Sequence, residues 1–244
     1  MIDLNYLYHD KRAVLKRYKY ASIEAKMLRY LKDYINVPEV YEYQNDYLII
    51  KHLPSNCSFC EESFAKELAN LHQNSWDGFG FFYDTTIGPF LQPNKKYNNW
   101  IEFFVNERVL YMAKKAMHER QIDVDIMKKI EKFCIKIEDI LPKDIKPSLL
   151  HGDIWSGNLI CHNQKNYLID PAIYYGHSEI ELAFIMMFNT FGERFFKSYS
   201  EVLPIDKEFF KSRYLIYQLY PYLVHVRIYG KSYLDGVRRI LGYF

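Results

Sequence analysis

No glycine occurs before Gly78 in this 244-residue chain, and there are only 10 in all. That excludes a glycine-rich phosphate loop, of either the P-loop or the dinucleotide-binding kind, from residues 1–77. Long apolar runs are also missing. The longest, Leu182–Phe188, is far short of the ~20 residues that cross a bilayer. The opening MIDLNYLYHDKR lacks the apolar core of a signal peptide. A soluble, cytoplasmic protein with no membrane partner is expected. Nor does one sign of charge dominate: 32 Lys+Arg stand against 30 Asp+Glu, a net charge of +2. With no long basic run, nucleic acid is not the expected partner. The four cysteines are too few for a disulfide framework at this length. Cys57 and Cys60 form one CxxC, but Cys134 and Cys161 are distant in sequence and a zinc knuckle needs four close ligands. Free thiols in a reducing compartment are the expectation.

What is present is an ordinary globular composition, 49% hydrophobic and 25% charged, with 23 Tyr, 17 Phe and 3 Trp. Ile2–Tyr8 and Ala13–Tyr18 are β-prone and joined by the polar His9-Asp10-Lys11, which predicts a hairpin. Ser22 is placed to cap a helix running to Tyr34, with Ile23, Met27, Leu31 and Tyr34 along one face. That helix must stop before Val37-Pro38. Tyr47–Ile50 is then a short strand. From about Cys60 the period turns helical, over Phe64–Leu71, Trp100–His118 and Ile126–Leu141. Leu149–His151 and Tyr167–Ile169 interrupt it as short strands, and helix resumes from Glu179. The pattern predicts an α+β chain of two lobes. A small antiparallel-sheet lobe with one helix covers residues 1–53, and a larger, mainly helical lobe covers 54–244.

One segment carries chemistry: LLHGDIWSGNLI at 149–160, followed by YLIDPAIYYGHSE at 167–179. Asp153 and Asn158 stand in D-x4-N spacing, and Asp170 follows beyond a strand. Phosphoryl transfer needs a carboxylate to take the acceptor hydroxyl's proton, together with hard oxygen ligands for magnesium. Asp153 is the candidate base, and Asn158 and Asp170 are the candidate metal ligands. Val14-Leu15-Lys16 has the form of the kinase V-A-I-K strand. Alternation puts Val14 and Lys16 on one face, to line adenine and reach phosphate respectively. Glu24, in the next helix, is the counter-charge, and Lys19 is the rival lysine on the other face. Ile50, Lys51, His52 and Leu53 fall where a hinge would offer backbone hydrogen bonds to adenine.

On these residues the chain resembles the fructosamine/ketosamine-3-kinase family, relatives of the aminoglycoside phosphotransferases within the protein-kinase-like fold. The resemblance runs in order through VLK (14–16), EAKMLRYL (24–31), LANLH (68–72), FGFFYDTTIG (79–88), QPN (92–94), WIEFF (100–104), HGDIWSGN (151–158), IDPAIYYGHSE (169–179) and YQLYPYLVH (217–225). It implies ATP- and Mg2+-dependent phosphorylation of the 3-hydroxyl of a ketosamine, a deglycation step. The acceptor would be a glycated lysine on protein or a small-molecule adduct, with ribulosamine or erythrulosamine favoured over fructosamine. It also implies that Trp155 stacks on the sugar and that His177 and Glu179 line the acceptor side. Gln92, Asn94 and Trp100 match without an assigned role.

Three departures stand out. Glu181 occupies the place of an aspartate that normally holds the catalytic loop, which predicts a looser hold. Ser178 stands where an arginine is common. The chain also starts at the strand that ordinarily follows the glycine lid, which leaves either a shortened N-terminus or an open phosphate site. Two alternatives stay open: a kinase of the aminoglycoside or choline type, and a nucleotide-binding pseudokinase with an incomplete phosphate lid.

Overall fold

The computed structural model describes residues 1–244. Strands β1 (Ile2–Tyr8) and β2 (Lys11–Arg17) form the expected hairpin, with His9 and Asp10 at positive φ in its turn. Helix α1 (Ala21–Leu31) follows, then β3 (Val40–Tyr43) and β4 (Tyr47–Lys51). The four strands make one antiparallel sheet in the order β1-β2-β4-β3. Two details differ from expectation. Helix α1 starts two residues earlier than a Ser22 cap would place it, with Tyr20 at its N-cap making no side-chain bond, so Ser22 lies inside the first turn and caps nothing, and it ends at Leu31, short of Tyr34. Strand β3 was hidden in the sequence because its register shifts between Val40 and Glu42, which breaks the period-2 pattern, and all four of its side chains are only half-buried.

Alternation along β2 divides the sheet as its sequence predicts. Ala13 and Leu15 join Ile49 in a small outer cluster capped by tyrosines, whereas Val14 joins Leu48 and Ile50 in the main core. Lys16 shares Val14's face and is buried.

Helix α2 (Glu61–His72) opens the helical part of the chain. The short hairpin β5 (Thr85–Ile87) and β6 (Phe90–Gln92) turns at Gly88-Pro89. The apolar stretch from Trp100 to His118 is one continuous helical rod: α3 (Trp100–Phe103), a π-helical segment (Phe104–Leu110) and α4 (Tyr111–His118). Helix α5 (Val124–Lys136) is capped by the Asp123 side chain, which accepts from the Ile126 N–H. Strand β7 (Ser148–Leu150) leads into the segment of interest. Hairpin β8 (Leu159–His162) and β9 (Lys165–Leu168) leads out of it, and β10 (Tyr174–Gly176) returns to pair with β7. Helices α6 (Ser178–Met187), α7 (Glu193–Ser200), α8 (Tyr214–Tyr229) and α9 (Leu234–Tyr243) complete the fold. No helix is long and apolar enough to cross a membrane.

The expectation of free thiols is corrected at two of the four cysteines. Cys57 and Cys161 are joined in a disulfide, with Cα atoms 5.4 Å apart. The connector after β4 folds back across the β8–β9 hairpin. There the Asn56 N–H donates to the Cys161 carbonyl (3.0 Å), and the Asn163 N–H donates to the Asn56 side chain (2.8 Å). Sequence distance said nothing about this contact, because the two cysteines stand 104 positions apart in the chain. Cys60 is a free, exposed thiol and Cys134 a free, buried one.

Candidate functional site

Strand pair β7–β10 anchors the chemical segment. After Leu150 the chain turns through His151 and Gly152, the latter at φ +87. A Cβ on Gly152 would lie 2.2 Å from the Ala172 carbonyl oxygen, so only glycine fits there. Both backbone N–H groups of this turn are captured by the buried Glu181 carboxylate of α6, at 3.1 Å from His151 and at short range from Gly152. His72, at the end of α2, reaches the same carboxylate through Nε2 (2.8 Å), while its Nδ1 meets the Tyr199 hydroxyl (2.6 Å). Burial pushes the Glu181 pKa up, but the His72 bond and the backbone donors bring it below the ordinary value. A glutamate in the aspartate position therefore reaches both loop N–H groups.

Asp153 projects from this turn. Its Oδ2 accepts from Asn158 Nδ2 (2.9 Å), and the same amide nitrogen donates to the Asp153 carbonyl (2.8 Å). Asn158 Oδ1 is thereby turned away from Asp153, free to act as a ligand. Burial raises the Asp153 pKa to about 7, against the lowering hydrogen bond from Asn158 and with further elevation from the Asp170 charge. Asp170 sits at φ +54, a strained setting for a non-glycine residue, and its side chain is 44% exposed to the cleft.

Lys16 reaches across from the sheet. Its Nζ donates to Glu24 Oε1 at 2.7 Å and also pairs with Asp170. Burial alone would lower the Lys16 pKa, but the two carboxylates more than offset it and hold the ammonium charged. The rival Lys19 lies over the Tyr20 ring, 4.9 Å from its centroid. Lys16, Glu24, Asp153 and Asp170 line one cavity of about 300 Å³ between the sheet and the helices, together with Thr86, Gly88 and Pro171. Two oxygen donors, Asn158 and Asp170, fit magnesium, which usually takes one or two protein oxygens and completes its shell with phosphate and water.

Neither Val14 nor the expected hinge residues, Ile50, Lys51, His52 and Leu53, line this cavity. Val14 and Ile50 face each other across β2 and β4 within the core. The Lys51 N–H donates to the Glu39 carbonyl and the His52 N–H to the Arg12 carbonyl, so both are spent. Leu53 keeps an N–H without a protein acceptor, which suits it to adenine.

On the other side of Asp153 is a second cavity, of about 310 Å³, walled mainly by apolar and aromatic side chains. Trp155 lines it, 40% exposed. A Cβ on Gly157 would be 2.4 Å from the Trp155 ring, so that glycine lets the indole lie flat on the chain. His177 and Glu179 are elsewhere. His177 Nδ1 meets the Tyr217 hydroxyl (3.1 Å), and Glu179 accepts from Arg213 Nε (2.8 Å). These two line a polar pocket with Asp206 and Arg213, away from Asp153.

Sequence reasoning missed the struts behind the site. Gln92 Nε2 donates to Thr85 Oγ1 (2.9 Å) and the Ala172 carbonyl (3.0 Å), and its Oε1 accepts from Tyr220 (2.6 Å). Gln92 thus ties the β5–β6 hairpin to the loop that carries Asp170. Arg108, fully buried, donates to Asn94 Oδ1 (2.6 Å) and lies 3.9 Å from the centroid of the Tyr174 ring. The signal that was available was the polarity of QPN within an apolar stretch. Trp100 is core: its Nε1 donates to the Tyr217 hydroxyl (3.2 Å).

The fructosamine kinase family model matches residues 6–243. A protein named as a probable ketoamine kinase, from Enterococcus faecium, is 32% identical over 227 residues, covering 91% of this chain and 81% of its own length. The chloroplastic protein-ribulosamine 3-kinase of Oryza sativa subsp. japonica is 34% identical over 200 residues, covering 80% of this chain and 58% of that protein. A crystal structure from Thermobifida fusca, assigned as a fructosamine-3-kinase, superposes with a TM-score of 0.84 at 25% identity, over 95% of this chain and 86% of that one. With the family model spanning residues 6–243 and a 32% identical relative covering 91% of the chain, this protein belongs to the fructosamine kinase family of phosphotransferases.

Proposed function

We propose that the protein transfers the γ-phosphoryl group of Mg-ATP to the 3-hydroxyl of a ketosamine, with ribulosamine or erythrulosamine adducts preferred, as a deglycation step. The observation that carries this is the position of Asp153, which lines both cavities at once. On the sheet side are the cationic Lys16 and Asp170, with Asn158, bonded to Asp153, as the second oxygen donor for a metal–triphosphate. On the other side is a chamber of the size of a small sugar adduct. A carboxylate at this junction can accept the acceptor hydroxyl's proton as that oxygen moves toward phosphorus.

Each residue then has a task. Lys16, held by Glu24, orients the α- and β-phosphates. Nucleotide entry replaces the Lys16–Asp170 pair, freeing Asp170 to join Asn158 as a metal ligand. Magnesium, when bound, neutralises phosphate charge and aligns the triphosphate. Leu53 offers its N–H to adenine at the lobe boundary near residue 53. Trp155 gives the sugar an apolar face. A neutral Asp153 would be a poor base; a metal held by Asn158 and Asp170 would lower its raised pKa and favour the carboxylate form.

The test is phosphate transfer from Mg-ATP to a ribulosamine-bearing amine, with Asp153→Asn alongside. Loss of the base should lower kcat by on the order of 10²–10⁴. A wild-type rate no higher than that of Asp153→Asn overturns the assignment. Turnover of free aminoglycosides but not ketosamines would move the protein to the sister group.

A further inference from the structure

The acceptor chamber is unusual in its charge inventory. No lysine or arginine lines it, and its only carboxylates are Asp153 and Glu181. The Glu181 oxygens are already taken by His72 and by the His151 and Gly152 N–H groups. Its inner wall, Ile180, Phe184 and Val224, is buried and apolar. Its mouth is a chain of rings. Trp155 lies 6.2 Å from Phe188, Phe188 lies 5.1 Å from His225, and His225 lies 4.8 Å from Tyr233. Tyr229 closes the chain, 5.6 Å from Tyr233 and mostly exposed. His225 donates from Nδ1 to the Pro221 carbonyl (2.8 Å) and is kept neutral by burial, so its Nε2 is an acceptor.

Such a chamber treats the two ends of an amine adduct differently. The nitrogen of a ketosamine is a secondary ammonium at neutral pH. Aromatic faces, a neutral imidazole acceptor and the Asp153 carboxylate all favour a cation there. Whatever the amine carries beyond that nitrogen lies against Phe184, Phe188 and the tyrosines. An alkyl or aryl arm gains from that burial. A carboxylate on the same arm loses its water and finds no cation.

Granted ketosamine kinase activity, on which the inference rests, we propose that this ring-lined, cation-free chamber selects ketosamines whose amine carries an uncharged apolar arm. It rejects those whose arm carries a carboxylate near the nitrogen. Adducts of alkylamines and of the lysine ε-amine are substrates. Adducts on the α-amino group of free amino acids are excluded.

The experiment measures kcat/KM with Mg-ATP for the ribulosyl adducts of n-butylamine and of β-alanine, which have arms of similar length. Wild type should prefer the butylamine adduct by about tenfold or more. Phe188→Lys, which puts a cation on the wall, should shrink or invert that ratio, whereas Phe188→Leu should keep it. Tyr233→Lys at the rim provides a second cationic variant should Phe188→Lys misfold, as judged by its unfolding transition. Equal kcat/KM for the two adducts in wild type, or a ratio unmoved by both folded lysine variants, overturns the inference while the ketosamine kinase reading stands. Failure of wild type to phosphorylate either adduct overturns that reading and the inference with it.

Discussion

Glu181 accepts from the His151 and Gly152 backbones and from the His72 ring, all inside the core. Glu181→Gln keeps the shape but turns an NH2 group toward donors that need an acceptor. Leaving one buried N–H unpaired costs about 1–3 kcal/mol. The variant should therefore unfold at lower denaturant and lose kcat, with KM for ATP little changed, because Lys16 and Asp170 are untouched. A loss confined to KM for ATP would contradict this role. His177 gives a second prediction, in pH. Burial and the neighbouring Arg213 lower its pKa from 6.5 to about 3. The unfolded chain then binds a proton that the folded one refuses, so this contribution is fully present above pH 6.5 and is lost as pH falls toward 3. Denaturant midpoints taken across that window should fall with acidity, and His177→Gln should flatten the slope by up to about 1.4 kcal/mol per pH unit. An unchanged slope in the variant would rule His177 out as the titrating group.

At the scale of elements, legibility followed periodicity. The β1–β2 hairpin, α2, α5 and the rod from Trp100 to His118 announce themselves through apolar spacing. The unannounced elements are β3, whose register shift scrambles alternation, and the short strands β5, β6, β8 and β10, which are set by pairing with their neighbours. The Cys57–Cys161 bridge belongs to the same class, because only the docking of the connector onto β8–β9 brings the sulfurs together. It closes a loop spanning 104 positions in sequence, which includes α2 to α5 and the whole loop from His151 to Asn158. Constraint of the unfolded chain by a loop of this length is worth about 2–5 kcal/mol. Cys161→Ser, or wild type treated with a dithiol reductant, should be destabilised by that amount in urea, and Cys60→Ser should be nearly neutral. Equal stability of oxidised and reduced protein would show that the bridge does not hold the connector.

On the scale of the whole molecule, the five residues expected to do the chemistry, Lys16, Glu24, Asp153, Asn158 and Asp170, come from opposite sides of the cleft and meet within one region. They were legible because phosphoryl transfer fixes residue type and local spacing. The partition of acceptor space was not legible, since beyond Gly152, Asp153 and Trp155 the chamber is assembled from the Ile87–Pro89 turn, α6 and α8, with no shared sequence pattern. Nor did the sequence show that one continuous core of 59 buried residues includes Val14, Leu28 and Ile50 from the sheet side along with Phe64, Leu168 and Leu223 from the helical side. A shared core couples the two parts thermodynamically, so the protein should melt in one transition rather than two. A ligand bound across the cleft then stabilises the entire unit. At 100 times its Kd, Mg-ATP should add about 2.7 kcal/mol. With the usual unfolding entropy per residue, that is a rise of about 5 °C in Tm for a chain of this size. Lys16→Met should abolish the rise while leaving a single transition. Two separate transitions, with only one moved by nucleotide, would show that the sheet and the helices fold as independent units.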